Sequence, residues 1–231
     1  MLFMVFGSAD TVIVVSGGIA EGELSGVPLP AAGYVIAADS GARTARELGL
    51  RVDELIGDLD SAPAAARDWV RESGGRVARF PEAKDATDLG LALAAAVARA
   101  PRRIVVLGSA RGRLDHLLGG ALLLASPEWA GVPVIEARLG PATVTVVRGR
   151  AELSGTPGEL VSLLPVGGAA RGVTLSGLLY PLTGARLSPG TTLATSNEFT
   201  RERATVEVAE GVLLAVQPGA MGTHYQRGLV P

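Results

Sequence analysis

The stretch Glu54-Leu55-Ile56-Gly57-Asp58-Leu59-Asp60-Ser61 sets an apolar run directly against an acidic turn. Glu54-Leu55-Ile56 reads as a buried strand and Gly57 as its exit. Ser61 and Pro63 then read as the cap and first turn of a helix over residues 63–72. In extended backbone, positions 58 and 60 point the same way. Two hard oxygen donors placed like this suit Mg²⁺, which takes one or two carboxylates and leaves room for water and substrate phosphates. A solvated turn before a helix is the plainer reading of the stretch taken alone.

Outward from this stretch the same strand–turn–helix unit repeats. Thr11–Val15 (TVIVV), Tyr34–Ala38 (YVIAA) and residues 76–80, 103–107 (RIVVL) and 132–137 (VPVIEA) are further short apolar runs. Helical stretches follow at 42–48, which Gly49 closes, at 87–98 and at 115–124. Near-continuous apolar strands alternating with helices predict α/β architecture with a parallel, Rossmann-like sheet covered on both faces. From about residue 142 the texture changes. Residues 142–147, 160–164, 172–175, 191–195, 204–208 and 212–216 are short β-like runs separated by glycine and proline turns. That spacing predicts an all-β sandwich or barrel. The expected division is an α/β domain at 1–138, a β domain at 139–218 and a tail at 219–231, with the composition shift at Leu139-Gly140-Pro141. The tail from Gly219, His224 included, carries no strand or helix period, and Leu229-Val230-Pro231 matches the start of a common protease-cleavage tag.

Composition narrows the function classes. The 231 residues are 48% hydrophobic with a mean hydropathy of +0.34, enough for a substantial core and unlike a disordered chain. A net charge of −2 and a pI near 5.8 leave no electrostatic footprint for nucleic acid. Cysteine is absent, which removes disulfides, thiol nucleophiles and cysteine-based metal centres. No apolar run reaches bilayer length and no basic leader precedes Met1 to Phe6, so the expected setting is cytoplasmic, with no membrane partner.

In a parallel sheet the ligand sits beyond the carboxyl ends of the strands. Asp39 follows the second expected strand, Asp58 and Asp60 the third, Lys84, Asp85 and Asp88 the fourth, and Arg111, Arg113, Asp115 and His116 the fifth. Carboxylates crowded in one crevice repel one another unless a cation is present. Lys84 is the only lysine among 21 basic residues, a compact point charge where the chain otherwise uses arginine. Acids, one lysine and arginines together suit a metal-bound polyphosphate, whose charge moves during transfer. Each motif has a plainer reading beside this one. Asp39-Ser40 and Asp115 also read as helix caps, Asp85-Ala86-Thr87-Asp88 as a capping box with aspartate in place of glutamate, and His116 as a surface histidine. Gly17-Gly18 after the first strand lets backbone approach phosphate, although a bare glycine pair is a weak signal.

Ala38-Asp39-Ser40-Gly41-Ala42, Gly57-Asp58-Leu59-Asp60-Ser61, Lys84-Asp85-Ala86-Thr87-Asp88 and Gly112-Arg113-Leu114-Asp115-His116 occur in that order. They are followed by Gly177-Leu178-Leu179-Tyr180-Pro181-Leu182 and Ser196-Asn197-Glu198. The set resembles the signatures of the thiamine pyrophosphokinases, in register from about residue 12 to 218. The resemblance implies an N-terminal α/β domain that binds ATP and Mg²⁺, and a C-terminal β-sandwich. It also implies a homodimer, with thiamine held between the α/β domain of one subunit and the sandwich of the other. The reaction implied moves the terminal diphosphate of ATP to the thiamine hydroxyl and releases AMP. By the same resemblance Asp39, Asp58, Asp60 and Asp88 hold or surround Mg²⁺. The resemblance also sets Arg113 and Asp115 with the phosphates and the thiamine hydroxyl, and Tyr180, Ser196 and Asn197 with the thiamine rings, while on the residues themselves Gly17, Gly18, Lys84, Arg111 and Gly112 are expected with the nucleotide. Arg111 departs from the family, which usually has glycine there. Two other readings stay open on the residues: a diphosphokinase for another hydroxymethyl heterocycle such as a pterin, and a non-catalytic nucleotide or thiamine sensor.

Overall fold

The computed structural model describes residues 8–59, 64–81 and 85–219. The chain divides into two compact units, Met1–Gly140 and Pro141–Pro231. Strands β1 (Thr11–Val15), β2 (Tyr34–Ala38), β3 (Glu54–Gly57), β4 (Arg76–Arg79), β5 (Arg103–Gly108) and β6 (Val134–Leu139) belong to the first unit. They pair in parallel throughout, in the order β4-β3-β2-β1-β5-β6. Helices α1 (Gly41–Glu47), α2 (Ala64–Glu72), α3 (Asp88–Val97) and α4 (Leu114–Leu124) follow β2 to β5 in turn. The core takes Ile13, Val15, Leu55, Val70, Val105 and Leu107, which is why the central strands read as unbroken apolar runs rather than alternating ones. β4 is the edge strand and carries arginine at both ends, a residue that discourages edge-to-edge pairing.

The order places β1 beside β5, although β2, β3 and β4 come between them in sequence. From this point the chain winds outward in both directions, so the loops after β1 and β5 part company and leave a crevice at their carboxyl ends. Among the described residues, the two buried carboxylates of this unit are engaged structurally. Glu54 accepts from Arg76 (2.8 Å) and the Tyr34 hydroxyl (3.3 Å), and Glu136 pairs with Arg103 and Arg138. Such pairing is what burial of a charge demands.

The second unit is antiparallel. It contains β7 (Ala142–Val147), β8 (Arg150–Ser154), β9 (Leu160–Ser176), β10 (Leu182–Leu187), β11 (Asn197–Glu198), β12 (Arg203–Glu207) and β13 (Glu210–Gln217). The order is β7-β13-β9-β12-β8, with β10 and β11 also on β9. Two expectations are corrected here. The runs at 160–164 and 172–175 belong to a single strand of 17 residues. Residues 160–166 pair with β13 and β11, and residues 170–176 with β12 and β10, with Arg171 also opposite Glu210 of β13. Gly167 (φ 72°) and Gly172 (φ 63°) take the left-handed conformations that permit the bend between the halves. A Cβ at Gly172 would stand 2.6 Å from the Cβ of Ala209. Residues 191–195 form a turn instead of a strand, closed by Thr195 N–H donating to the Thr192 carbonyl (3.0 Å). Val161, Leu163, Leu175, Leu178, Phe199 and Leu213 form the core of this unit. Among the described residues, no helix is long and apolar enough to cross a membrane.

Candidate active site

The crevice is assembled by four strand exits. At the end of β2, Asp39 adopts a left-handed backbone (φ 48°), a conformation aspartate tolerates better than most residues. Its N–H donates to the Ile56 carbonyl at 2.8 Å, which ties the β2 exit to β3. Asp58 follows β3 immediately, and Asp88 opens α3. Each of these three half-buried aspartates offers a carboxylate oxygen, and the three oxygens lie within 4.8 Å of one another. Gly57 makes the approach possible. A Cβ there would stand 3.2 Å from both the Asp39 Cβ and Asp88 Oδ1, inside the space the acids occupy. Three hard oxygen donors converging around a glycine fit a divalent cation with oxygen preference. Asp60 and Lys84, and the expected cap at Ser61 and Pro63, lie outside the described residues.

Beside the acids runs a cleft of about 980 Å³ whose wall includes Gly17, Gly18, Asp39, Asp88, Arg111 and Asp115. Gly112, Arg113 and His116 line it as well. It lies where β1 and β5 diverge, and its size is that of a small-molecule site. Ser40 stands at the N-cap position of α1 but makes no cap bond. Its Oγ instead accepts from Gly18 N–H (3.2 Å), fastening the glycine pair to the β2 exit. Gly41 comes so close to β1 that a Cβ there would be 2.3 Å from the Val15 carbonyl oxygen.

The caps differ from the sequence reading, to the benefit of the site. Thr87, rather than an aspartate, caps α3 by accepting from Gly90 N–H at 3.1 Å, which releases the Asp88 side chain to join the other acids. Arg113 occupies the N-cap position of α4 without a cap bond. Asp115, in the first turn, pairs with it through Arg113 Nε (3.2 Å) and Nη2 (2.6 Å). Those hydrogen bonds hold the Asp115 carboxyl below the usual carboxylate range. Ser109 also lines the cleft; a lone serine after a strand carries no sequence signal, and it was not among the expected residues.

In the second unit Asn197 is 1% exposed, and its amide bonds the backbone of Tyr180 and Glu198. Asn197 Oδ1 accepts from the N–H groups of Tyr180 and Glu198 (2.9 Å each), and Nδ2 donates to the Tyr180 carbonyl (2.8 Å). Tyr180 itself is 59% exposed. Ser196 has a left-handed backbone (φ 54°) and donates its N–H to Ser162 Oγ (3.0 Å). The structure therefore brings Tyr180, Ser196 and Asn197 together, with Asn197 acting on the backbone that presents Tyr180.

Residues 29–135 match the family described as "Thiamin pyrophosphokinase, catalytic domain", and residues 149–213 match "Thiamin pyrophosphokinase, vitamin B1 binding domain". The thiamine pyrophosphokinase of Bacillus subtilis (strain 168) is 30% identical over 193 residues, spanning 79% of this chain and 86% of the relative. Among solved structures, one of thiamine pyrophosphokinase from Bacillus subtilis superposes with a TM-score of 0.77 at 27% identity, covering 91% of this chain and all of that one. The Geobacillus thermodenitrificans thiamin pyrophosphokinase gives 0.73 at 30% identity, covering 92% and 99%. The Candida albicans thiamin pyrophosphokinase gives 0.70 at 13% identity, covering 90% and 89%, a likeness of fold.

Proposed function

The chain belongs to the thiamin pyrophosphokinase family, and on that premise we propose that it transfers the β,γ-diphosphoryl group of ATP to the hydroxyl of thiamine, giving thiamine diphosphate and AMP. The observation that carries this reading is the convergence of Asp39, Asp58 and Asp88 around Gly57, at the edge of a cleft that also presents arginines. Asp39, Asp58 and Asp88, with Asp60 two residues beyond Asp58 in the sequence, would hold Mg²⁺. When bound, that ion supplies counter-charge shared among the phosphate oxygens.

The rest of the chemistry belongs to the chain's own side chains. Gly17 and Gly18 offer a wall without side chains to the phosphates, while Arg111, Gly112, Arg113 and Lys84 supply close backbone and positive charge. The thiamine hydroxyl oxygen forms a bond to the β-phosphorus as the bond from that phosphorus to the α–β bridging oxygen breaks, and AMP carries away the bonding pair. Asp115 accepts the hydroxyl hydrogen bond and takes its proton. With its pKa held low by Arg113, it stays ionised at neutral pH and is a modest base, so in-line placement contributes more than proton transfer. Tyr180 offers a ring face to the cationic thiamine, with Ser196 beside it and Asn197 fixing its backbone.

We read the part up to residue 138 as a Rossmann-like nucleotide and metal domain and residues 139–218 as a sandwich for thiamine. The strand order about β1 and β5 and the bent β9 support that division. A homodimer with a shared active site is part of the same reading. Leu114, Leu118 and Leu122, spaced by four along α4 and each more than half exposed, form an apolar stripe that supports it. ATP as donor fits a cytoplasmic setting. The test is AMP release with Mg·ATP and either thiamine or a pterin alcohol. Turnover with thiamine alone is expected; preference for the pterin would overturn the substrate assignment.

A further inference from the structure

Behind the arginine-bearing wall of the cleft stands Glu23, a residue of the segment between β1 and β2 that no site motif contains. Ile19 and Leu24, each 2% exposed, anchor this segment in the core, and Arg43 Nη2 donates to the Ile19 carbonyl (3.1 Å). Glu23 reaches 86 residues along the chain to the β5–α4 loop. Ser109 Oγ lies 2.9 and 2.8 Å from its two carboxylate oxygens. Oε1 also accepts from Ala110 N–H (2.9 Å), and Oε2 from Ala20 N–H (3.2 Å). Ser109 Oγ in turn accepts from Arg111 N–H (2.9 Å). A Cβ at Gly140, the residue after β6, would stand 3.2 Å from Oε1, so no side chain crowds the carboxylate from that side. Ser109, Arg111, Gly112 and Arg113 all line the cleft, whereas Glu23 is not part of its wall.

We propose that Glu23 is a positioning residue for the nucleotide: acting through Ser109, it fixes the Ser109-to-Arg113 loop so that its backbone and arginines meet the triphosphate. The inference rests on the reading of this cleft as a Mg·ATP site. The donor pattern explains why a carboxylate is needed. Ala110 and Ala20 each present a backbone N–H to a different oxygen, so both oxygens must accept. A glutamine has one accepting oxygen, and whichever way its amide turns, its NH₂ faces one of those N–H groups donor to donor. Loss of a charge-assisted bond loosens the loop that the carboxylate had fixed before ligand arrives.

The test compares the wild type with Glu23→Gln, measuring the Kd for Mg·ATP calorimetrically, the KM for thiamine from AMP release, and the thermal midpoint. The expected result is a rise of about tenfold in the Mg·ATP Kd with the thiamine KM within about twofold of the wild type. Should Glu23→Gln fail to fold, Ser109→Ala, which removes the hydroxyl between Glu23 and Arg111, must give the same split. Unchanged Mg·ATP affinity with a lowered thermal midpoint would overturn the proposal and leave Glu23 a staple of the fold. A wild type that does not bind Mg·ATP would instead overturn the reading of the cleft on which the proposal stands.

Discussion

Asp39, Asp58 and Asp88 hold carboxylate oxygens within 4.8 Å of one another, an arrangement that costs stability unless a cation shares the space. Replacing one acid therefore separates function from folding. Asp58→Asn or Asp88→Asn should lower AMP formation by about 100-fold or more while leaving the thermal midpoint unchanged or slightly raised; a variant that unfolds instead would assign the acids to structure. Gly57→Ala tests the space between them. Its added methyl would press on Asp39 and Asp88, so the Mg²⁺ concentration giving half-maximal AMP release should rise by about tenfold. Asp115 carries a pH prediction. Because hydrogen bonding to Arg113 depresses its pKa, its carboxylate stays ionised as pH falls through the ordinary range and is protonated only below it. In Arg113→Gln that support is gone, and the Asp115 titration, followed by carboxyl carbon NMR, should move up toward the ordinary value. Had Asp115 titrated identically in both proteins, the pairing would not govern its charge.

At the scale of elements, the packing of α1 on β1 turns on Gly41. A Cβ 2.3 Å from the Val15 carbonyl oxygen requires a backbone shift, and Gly41→Ala should cost about 1–3 kcal/mol in urea unfolding; a neutral effect would mean the helix can slide. This contact was invisible in the sequence, where Gly41 reads only as the residue between the Asp39-Ser40 cap and the helix at 42–48. The central strands of the first unit were legible because burial on both faces leaves them largely apolar, as in TVIVV and the IVVL of β5. The caps were less so: aspartate, serine and threonine are nearly equivalent as caps in a sequence, and only packing made Thr87 the cap of α3 and sent the Ser40 hydroxyl to Gly18. In the second unit, Gly167, Gly168 and Gly172 look like turns between two strands, yet they bend a single strand, β9, whose halves pair with different neighbours. The run at 191–195 is rich in threonine and reads as β, but local carbonyls close it into a turn. Asp39, Asp58 and Asp88 were legible because each follows a strand of one parallel sheet, which forces their exits to one edge. Ser109 and Glu23 were not, since their link spans 86 residues.

At the scale of the whole molecule, the proposed homodimer makes the leucine stripe on α4 a buried surface. Leu118→Glu places a charge at its middle and should convert a dimer to a monomer in light scattering, with loss of thiamine turnover; a mass unchanged by the substitution would move the interface elsewhere. The central claim is the transfer of a diphosphoryl group to thiamine at the acid cluster. Phosphorus NMR of the purified protein with Mg·ATP and thiamine tests it most directly. AMP and thiamine diphosphate should appear in equal amounts, and both should form about 100-fold or more slowly with Asp58→Asn. Formation of ADP with a monophosphorylated product, or equal turnover in the Asp58→Asn protein, would contradict the account.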